Sequence, residues 1–193
     1  MQFDLFTPKA PPLFGLDISS SSVKMLEIVD AGKGSYRVER YAIEPLARDA
    51  VVDGNINNLE AVTDAVRRAH KRLGTRTKHV AMAVPTGAVI SKKIVVPASL
   101  REDELEIQVE SEANQYIPFA LEEVNLDFQV LGPSPTNPEE QEVLIAATRK
   151  EKVEDRVAVA DSAGLKALVM DVESFAQQTA LSLVVQALPN GGR

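Results

Sequence analysis

Cysteine is absent from this sequence. Its absence excludes disulfides, a thiol nucleophile and any cysteine-based zinc site, and nothing points to an oxidising compartment. Histidine is scarce. His70 and His79 are the only two, and neither has another histidine or a paired acid at ligand spacing, which excludes a histidine zinc site and a His-based catalytic triad. Positive charge is in deficit, with 21 basic against 28 acidic residues and a formal net charge of -7. The surface as a whole therefore repels nucleic-acid phosphate and anionic lipid. No stretch of about 20 apolar residues occurs, and the opening Met1 to Pro12 lacks a basic segment leading into an apolar one. Neither a membrane span nor an export signal is expected, and a cytosolic protein is.

Hydrophobic residues make up 45% of the 193 positions, enough for one domain or a domain with a small insert. After a proline-rich lead-in, Leu13 to Ile18 and Val23 to Val29 read as strands joined by the hairpin Ser19-Ser-Ser-Ser22, and Tyr36 to Ile43 reads as a third. Leu59, Val62, Val66, Ala69 and Leu73 recur at helical spacing, with Asn57 as the expected N-cap and Gly74 as the stop. His79 to Val84 is nearly all apolar, as for a strand covered on both faces.

A smaller β-α-β-β unit follows: a strand from Val89 to Val96, a helix from about Leu100 to Ile117, and strands Val124 to Val130 and Glu142 to Ala147. Ser99-Leu-Arg-Glu102 and Thr148-Arg-Lys-Glu151 both have the spacing of a capping box. Gly132 to Pro138 is too rich in proline to carry a ladder and is expected to be an exposed loop where proteolysis starts. A helix stopping near Gly164, a strand from Lys166 to Val172 and a last helix from Glu173 to about Leu188 complete the order. That last helix carries Phe175, Ala176, Thr179, Ala180, Leu183, Val184 and Ala187, an apolar face wider than a surface helix needs.

Gly15 to Lys24 is the segment with the most chemistry. A tight hairpin of small hydroxyl residues can aim backbone N–H groups and Oγ atoms at a phosphate, Asp17 can hold Mg²⁺ through water, and Lys24 can neutralise phosphate charge. A plain serine-rich turn with Asp17 as a local acceptor is the other reading. Gly32-Lys-Gly-Ser35 lacks the earlier glycine and the strand-to-helix setting of a Walker A loop, and reads as a hairpin turn. The basic run Arg67 to Arg72 sits where cations complement a helix C-terminus, and Glu102, Asp103 and Glu104 suit a helix N-terminus. Asp171-Val-Glu-Ser-Phe175 either orients water near a phosphate or supplies an ordinary N-cap.

Gly15 to Glu27, Ala113 to Val124 with its Gln115-Tyr-Ile-Pro118, Leu144 to Lys150 and Val169 to Phe175 together resemble the PilM family of type IV pilus assembly proteins. The resemblance covers nearly the whole chain. It implies an α/β fold, the first lobe of an actin-like (ribonuclease H-like) ATPase with an inserted β-α-β-β subdomain of the SHS2 type. Its parts would be a lead-in at 1–12, core at 13–85, insert and following helix at 86–165, and a returning strand and helix at 166–193, with the second lobe absent.

By that resemblance Asp17, Ser19, Ser20, Ser21 and Lys24 lie at the first phosphate loop of a site for ATP and Mg, and Glu173 lies at the connecting segment. The tetraserine departs from the glycine-containing loop of many actin relatives. The resemblance also implies a cytoplasmic protein peripheral to the inner membrane, gripping the N-terminal peptide of PilN in a groove between core and insert. Other inner-membrane complex proteins, pilus motor ATPases and a second copy are further expected partners. A catalytic role is not expected for this chain. The rival readings are a sugar-kinase-like phosphotransferase, which shares the fold but needs a base over a sugar hydroxyl, and an FtsA-like division protein. A missing lobe, together with the wide apolar face of the last helix, leads to an expectation of exposed hydrophobic surface.

Overall fold

Alternation of apolar and polar residues in the first 45 positions builds three strands: β1 (Leu13–Ile18), β2 (Ser22–Gly32) and β3 (Ser35–Pro45). The structure is a computed structural model describing residues 11–32 and 34–188. Lys33, most of the lead-in and the final Pro189 to Arg193 lie outside the described residues, as do the side chains of Gln186 and Ala187. The chain divides into two compact units, the first made of residues 1–83 and 155–171 and the second of 84–154 and 172–193.

In the first unit β1 pairs antiparallel with β2, and β2 with β3, as expected of the opening hairpins. The β2–β3 ladder runs further than the sequence pattern suggested, to Gly32 opposite Ser35. A short hairpin then appears that alternation alone did not reveal, β4 (Val51–Val52) with β5 (Asn55–Ile56). Its turn is Asp53-Gly54, both at positive φ (50° and 76°). An Asp-Gly pair between apolar residues is a strong signal for such a turn.

Helix α1 (Leu59–Leu73) starts one residue later than expected, because Asn58 is the cap: its Oδ1 accepts from the Ala61 N–H at 2.9 Å. Asn57 instead donates its N–H to Ala50 O. Gly74 closes the helix at φ 68°, a left-handed conformation in which glycine carries no steric penalty. The helix crosses back to β6 (His79–Val84), parallel to β1. With β10 (Lys166–Val172) the sheet order is β10-β6-β1-β2-β3.

One face of that sheet is the core. Phe14, Leu16, Val23, Met25, Val80 and Met82 pack with Val62, Val66 and Ala69 of α1 and with Val159 and Ala160. On the β2–β3 hairpin, Leu26, Ile28, Tyr36, Val38, Tyr41 and Ile43 are exposed.

The second unit holds a three-stranded antiparallel sheet, order β7-β9-β8, formed by β7 (Val89–Pro97), β8 (Val124–Pro133) and β9 (Glu140–Arg149). Helix α2 (Glu102–Tyr116) packs Leu105 and Val109 on Ile94, Val96, Val143 and Ile145. It begins two residues later than the expected Ser99 box. Leu100 donates its N–H to Pro97 O in a turn, and Arg101 N–H donates to Glu104 Oε2 at 3.0 Å, so the box residue is Glu104 rather than Glu102. Pro118 ends the helix as expected, by holding Ile117 in extended backbone.

The loop expected to interrupt the ladder does not do so at its start. Gly132 and Pro133 still pair with Glu142 and Gln141, past a bulge. β8 is an edge strand, where a proline costs no ladder bond. Ser134 and Thr136 share a hydrogen bond at 3.0 Å that knits the loop to itself.

Helix α3 (Lys150–Ser162) follows β9 directly, so Thr148 is a strand residue and not a cap: its hydroxyl donates to Ala88 O at 2.8 Å. Asp171 likewise lies within β10, and the residue before α4 (Glu173–Ala187) is Val172. Leu181, Leu183, Val184 and Val185 of α4 are exposed.

Arg156 on α3 is 2% exposed. Its guanidinium donates from Nε to Ala83 O at 3.1 Å and from Nη2 to Gly54 O at 2.8 Å. Arg156→Ala leaves both carbonyls unsatisfied and a void, and is expected to lower unfolding free energy by about 3 kcal/mol in urea denaturation. Arg156→Lys, with no planar fork, should recover only part of that loss.

Candidate functional site

The register of β1 and β2 sets Asp17 directly opposite Lys24 on the face away from the core. Lys24 Nζ donates to Asp17 Oδ2 at 2.7 Å and lies 3.3 Å from Ser19 Oγ. Both charged side chains are about half exposed. The turn itself is closed by Ser19, whose N–H and hydroxyl both donate to Ser22 O at 3.0 and 2.9 Å. Ser20 and Ser21 are exposed. The hairpin thus gathers an ammonium, a carboxylate and several hydroxyls at one accessible turn, a donor and acceptor set compatible with a phosphate and its Mg²⁺.

Glu173, the remaining expected site residue, belongs to the second unit. It opens α4, where its Oε2 lies 3.5 Å from the Thr86 amide nitrogen and its Oε1 accepts from Gln177. Four members of the basic run on α1 already have partners. Arg68 and Arg72 both reach Glu44, at 2.7 and 3.2 Å, Arg67 pairs with Asp64, and the His70 ring contacts Thr77 O and stacks on Phe14. Among the described residues no three His, Asp or Glu side chains are grouped to hold a metal, and no helix is long and apolar enough to cross a membrane.

A second feature was not picked out by spacing. Within the second unit a cavity of about 220 Å³ is lined by Val89, Ile90, Ile117, Phe119, Val124 and Ala147. Gly87, Ala88, Thr148, Arg149 and Lys152 complete its wall. The Arg149 guanidinium sits 5.4 Å from the Phe119 ring centroid, a cation–π contact. Glu151 pairs with both Arg149 and Lys152. The Lys152 hydrogen bond chiefly, then the charges of Lys152 and Arg149, hold the Glu151 carboxyl below its usual range.

The Gln115-Tyr-Ile-Pro118 stretch explains part of this wall. Proline ends α2, Ile117 turns inward to line the cavity, and Tyr116 packs between the two apolar clusters with Lys92 Nζ 4.3 Å above its ring.

A family model described as type IV pilus assembly protein PilM matches residues 15–193. Among solved structures, a chain of a "PilM-PilN type IV pilus biogenesis complex" superposes with a TM-score of 0.80 and 29% identity over 94% of this chain. This chain spans about half, 53%, of that one. The cytoplasmic domain of EpsL, an inner-membrane component of the type II secretion system of Vibrio cholerae, is more distant, at 14% identity and a TM-score of 0.48, with 82% of this chain and 56% of that one covered. The actin-like α/β fold class expected from the sequence is supported by the first of these matches.

Burial, and secondly the Glu112 carboxylate, push the Tyr116 phenol above its ordinary value of 10.0. The folded chain then keeps this proton where the unfolded chain loses it, so the associated stability is present below pH 10.0 and falls as pH rises through the folded value. Glu112→Gln should bring the ionisation midpoint, followed by ultraviolet absorbance, part of the way down. An unmoved midpoint would show that Glu112 does not act on the phenol.

Proposed function

The chain belongs to the PilM family of type IV pilus assembly proteins, and on that premise we propose that it is a docking scaffold of the pilus machinery that grips a short extended peptide of a PilN-type membrane partner. The apolar cavity of the second unit carries this reading. A narrow space lined by aliphatic and aromatic side chains suits one or two branched apolar side chains of an extended peptide, and the β7 edge beside it can supply backbone hydrogen bonds. The similar solved complex, titled as PilM with PilN, supports the same partner. The site lies on the cytoplasmic side, and the chain reaches the inner membrane through that partner.

A binding role, with negligible turnover, is the function assigned. The Asp17 to Lys24 hairpin is the first phosphate loop of an Mg-ATP site, with Lys24 released from Asp17 to meet phosphate and Asp17 left to hold the ion through water. Micromolar affinity needs roughly 8 kcal/mol, beyond the cost of association. A few hydrogen bonds, each worth about 1–3 kcal/mol when charged, do not reach it. Nucleotide therefore requires groups beyond this hairpin.

A fluorescent peptide with the N-terminal cytoplasmic sequence of a PilN-type protein from the same organism is expected to bind saturably, where a scrambled peptide does not. Phe119→Ala removes a wall of the cavity and the Arg149 contact, and should weaken binding about tenfold by anisotropy. Lys24→Met should leave peptide affinity unchanged. Equal binding of the scrambled peptide, or no effect of Phe119→Ala, would rule out the cavity as the seat.

A further inference from the structure

The net charge of this protein is not spread over it. Residues 101–123 hold eight acidic side chains against the single cation Arg101, a net of -7, and the remainder is balanced with 20 acids and 20 bases. Those residues are α2 and the turn that follows it. Arg101 pairs with Asp103 and Glu104. Glu106, Glu110, Glu122 and Glu123 are exposed and make no ion pair among the described residues.

This arrangement works against the helix that carries it. Glu102, Glu106 and Glu110 are spaced four apart, where like charges repel across one turn. Glu112 lies in the C-terminal half, and the last turn holds no cation to meet the helix dipole. Within the charged face sits a large apolar side chain: Ile107 is 69% exposed. Ile107, Glu110, Ser111 and Asn114, one helical face, form an open groove with Leu121 and Glu122. A lining of two large aliphatic side chains, Ile107 and Leu121, and two glutamates, Glu110 and Glu122, defines what fits there.

We infer that this groove on α2 is a docking surface for a cationic amphipathic segment of another protein, with lysine or arginine side chains against the glutamates and one aliphatic side chain against Ile107 and Leu121. Charge selects this occupant. Nucleic acid and anionic membrane are repelled by the same field, and a second copy of this chain is a poor source because it brings the same net charge of -7 to the contact. Steering by the glutamates speeds encounter, and burial of Ile107 supplies the apolar anchor.

The test is an NMR titration of the isotope-labelled chain with a synthetic helical peptide of lysine, leucine and alanine, beside the same peptide with every leucine replaced by serine. Saturable shifts confined to the groove face of α2, residues 103–114, and to residues 120–123 are expected, with affinity falling about tenfold for the serine peptide, for I107S and for E106Q/E110Q. These substitutions lie on exposed side chains, and the peptide comparison needs no variant at all. Equal affinity for the two peptides would reduce the effect to general charge attraction and overturn the proposal. So would shifts scattered over the surface or centred on the Phe119 cavity, or no binding.

Discussion

Arg156 brings a permanent positive charge to a position with almost no access to water, and much of the first unit's connectivity is arranged around it. Its guanidinium holds the carbonyl at the tip of the β4–β5 hairpin and the carbonyl of Ala83 near the end of β6. These segments are 102 and 73 residues away in sequence. A buried charge is tolerable only when its donors are spent on acceptors in good geometry. Placing α3 therefore also positions the end of β6 and the Asp53-Gly54 turn, and Val159 and Ala160, one turn on, complete the core beneath β1 and β6.

The surfaces left over differ in kind. The first unit leaves an apolar stripe on the β2–β3 hairpin, where Leu26 faces Tyr41 and Ile28 faces Val38. The second unit leaves an apolar cavity whose lining includes Arg149 and Lys152, and on α2 an acidic groove lined in part by Ile107. Large exposed apolar side chains grouped on one surface mark places where something else packs. The sequence pointed to one of them, α4, from the width of its apolar face. It did not point to the hairpin stripe, because strands with apolar residues on both faces look the same whether one face is covered or bare.

Local chemistry was legible wherever one residue and its near neighbours decide the outcome. Asp17 and Lys24 meet because a tight turn between them determines the register. Gly74 and Pro118 end their helices for reasons contained in their own backbones. Capping was less legible. Asn58 displaced Asn57, and Glu104 displaced Glu102, since adjacent residues of similar chemistry compete and long-range packing of Leu100 and Ala50 settles which backbone N–H is left to be capped. Thr148 has the spacing of a cap, yet its hydroxyl goes to Ala88, 60 residues earlier.

The sequence by itself determined the order of the longer elements, the hairpin that brings Asp17 to Lys24, the concentration of negative charge in residues 101–123 and membership of the PilM family, because each depends on composition or short-range spacing. Only the tertiary structure decided where the apolar cavity lies, which cations are already satisfied and which glutamates remain without a partner. The cavity wall draws on residues 87–90, 117–124 and 147–152, and the groove on two segments joined by a proline turn. Side chains this far apart in the chain become neighbours only when strand pairing and helix packing have set their distances, and periodicity carries no record of those distances.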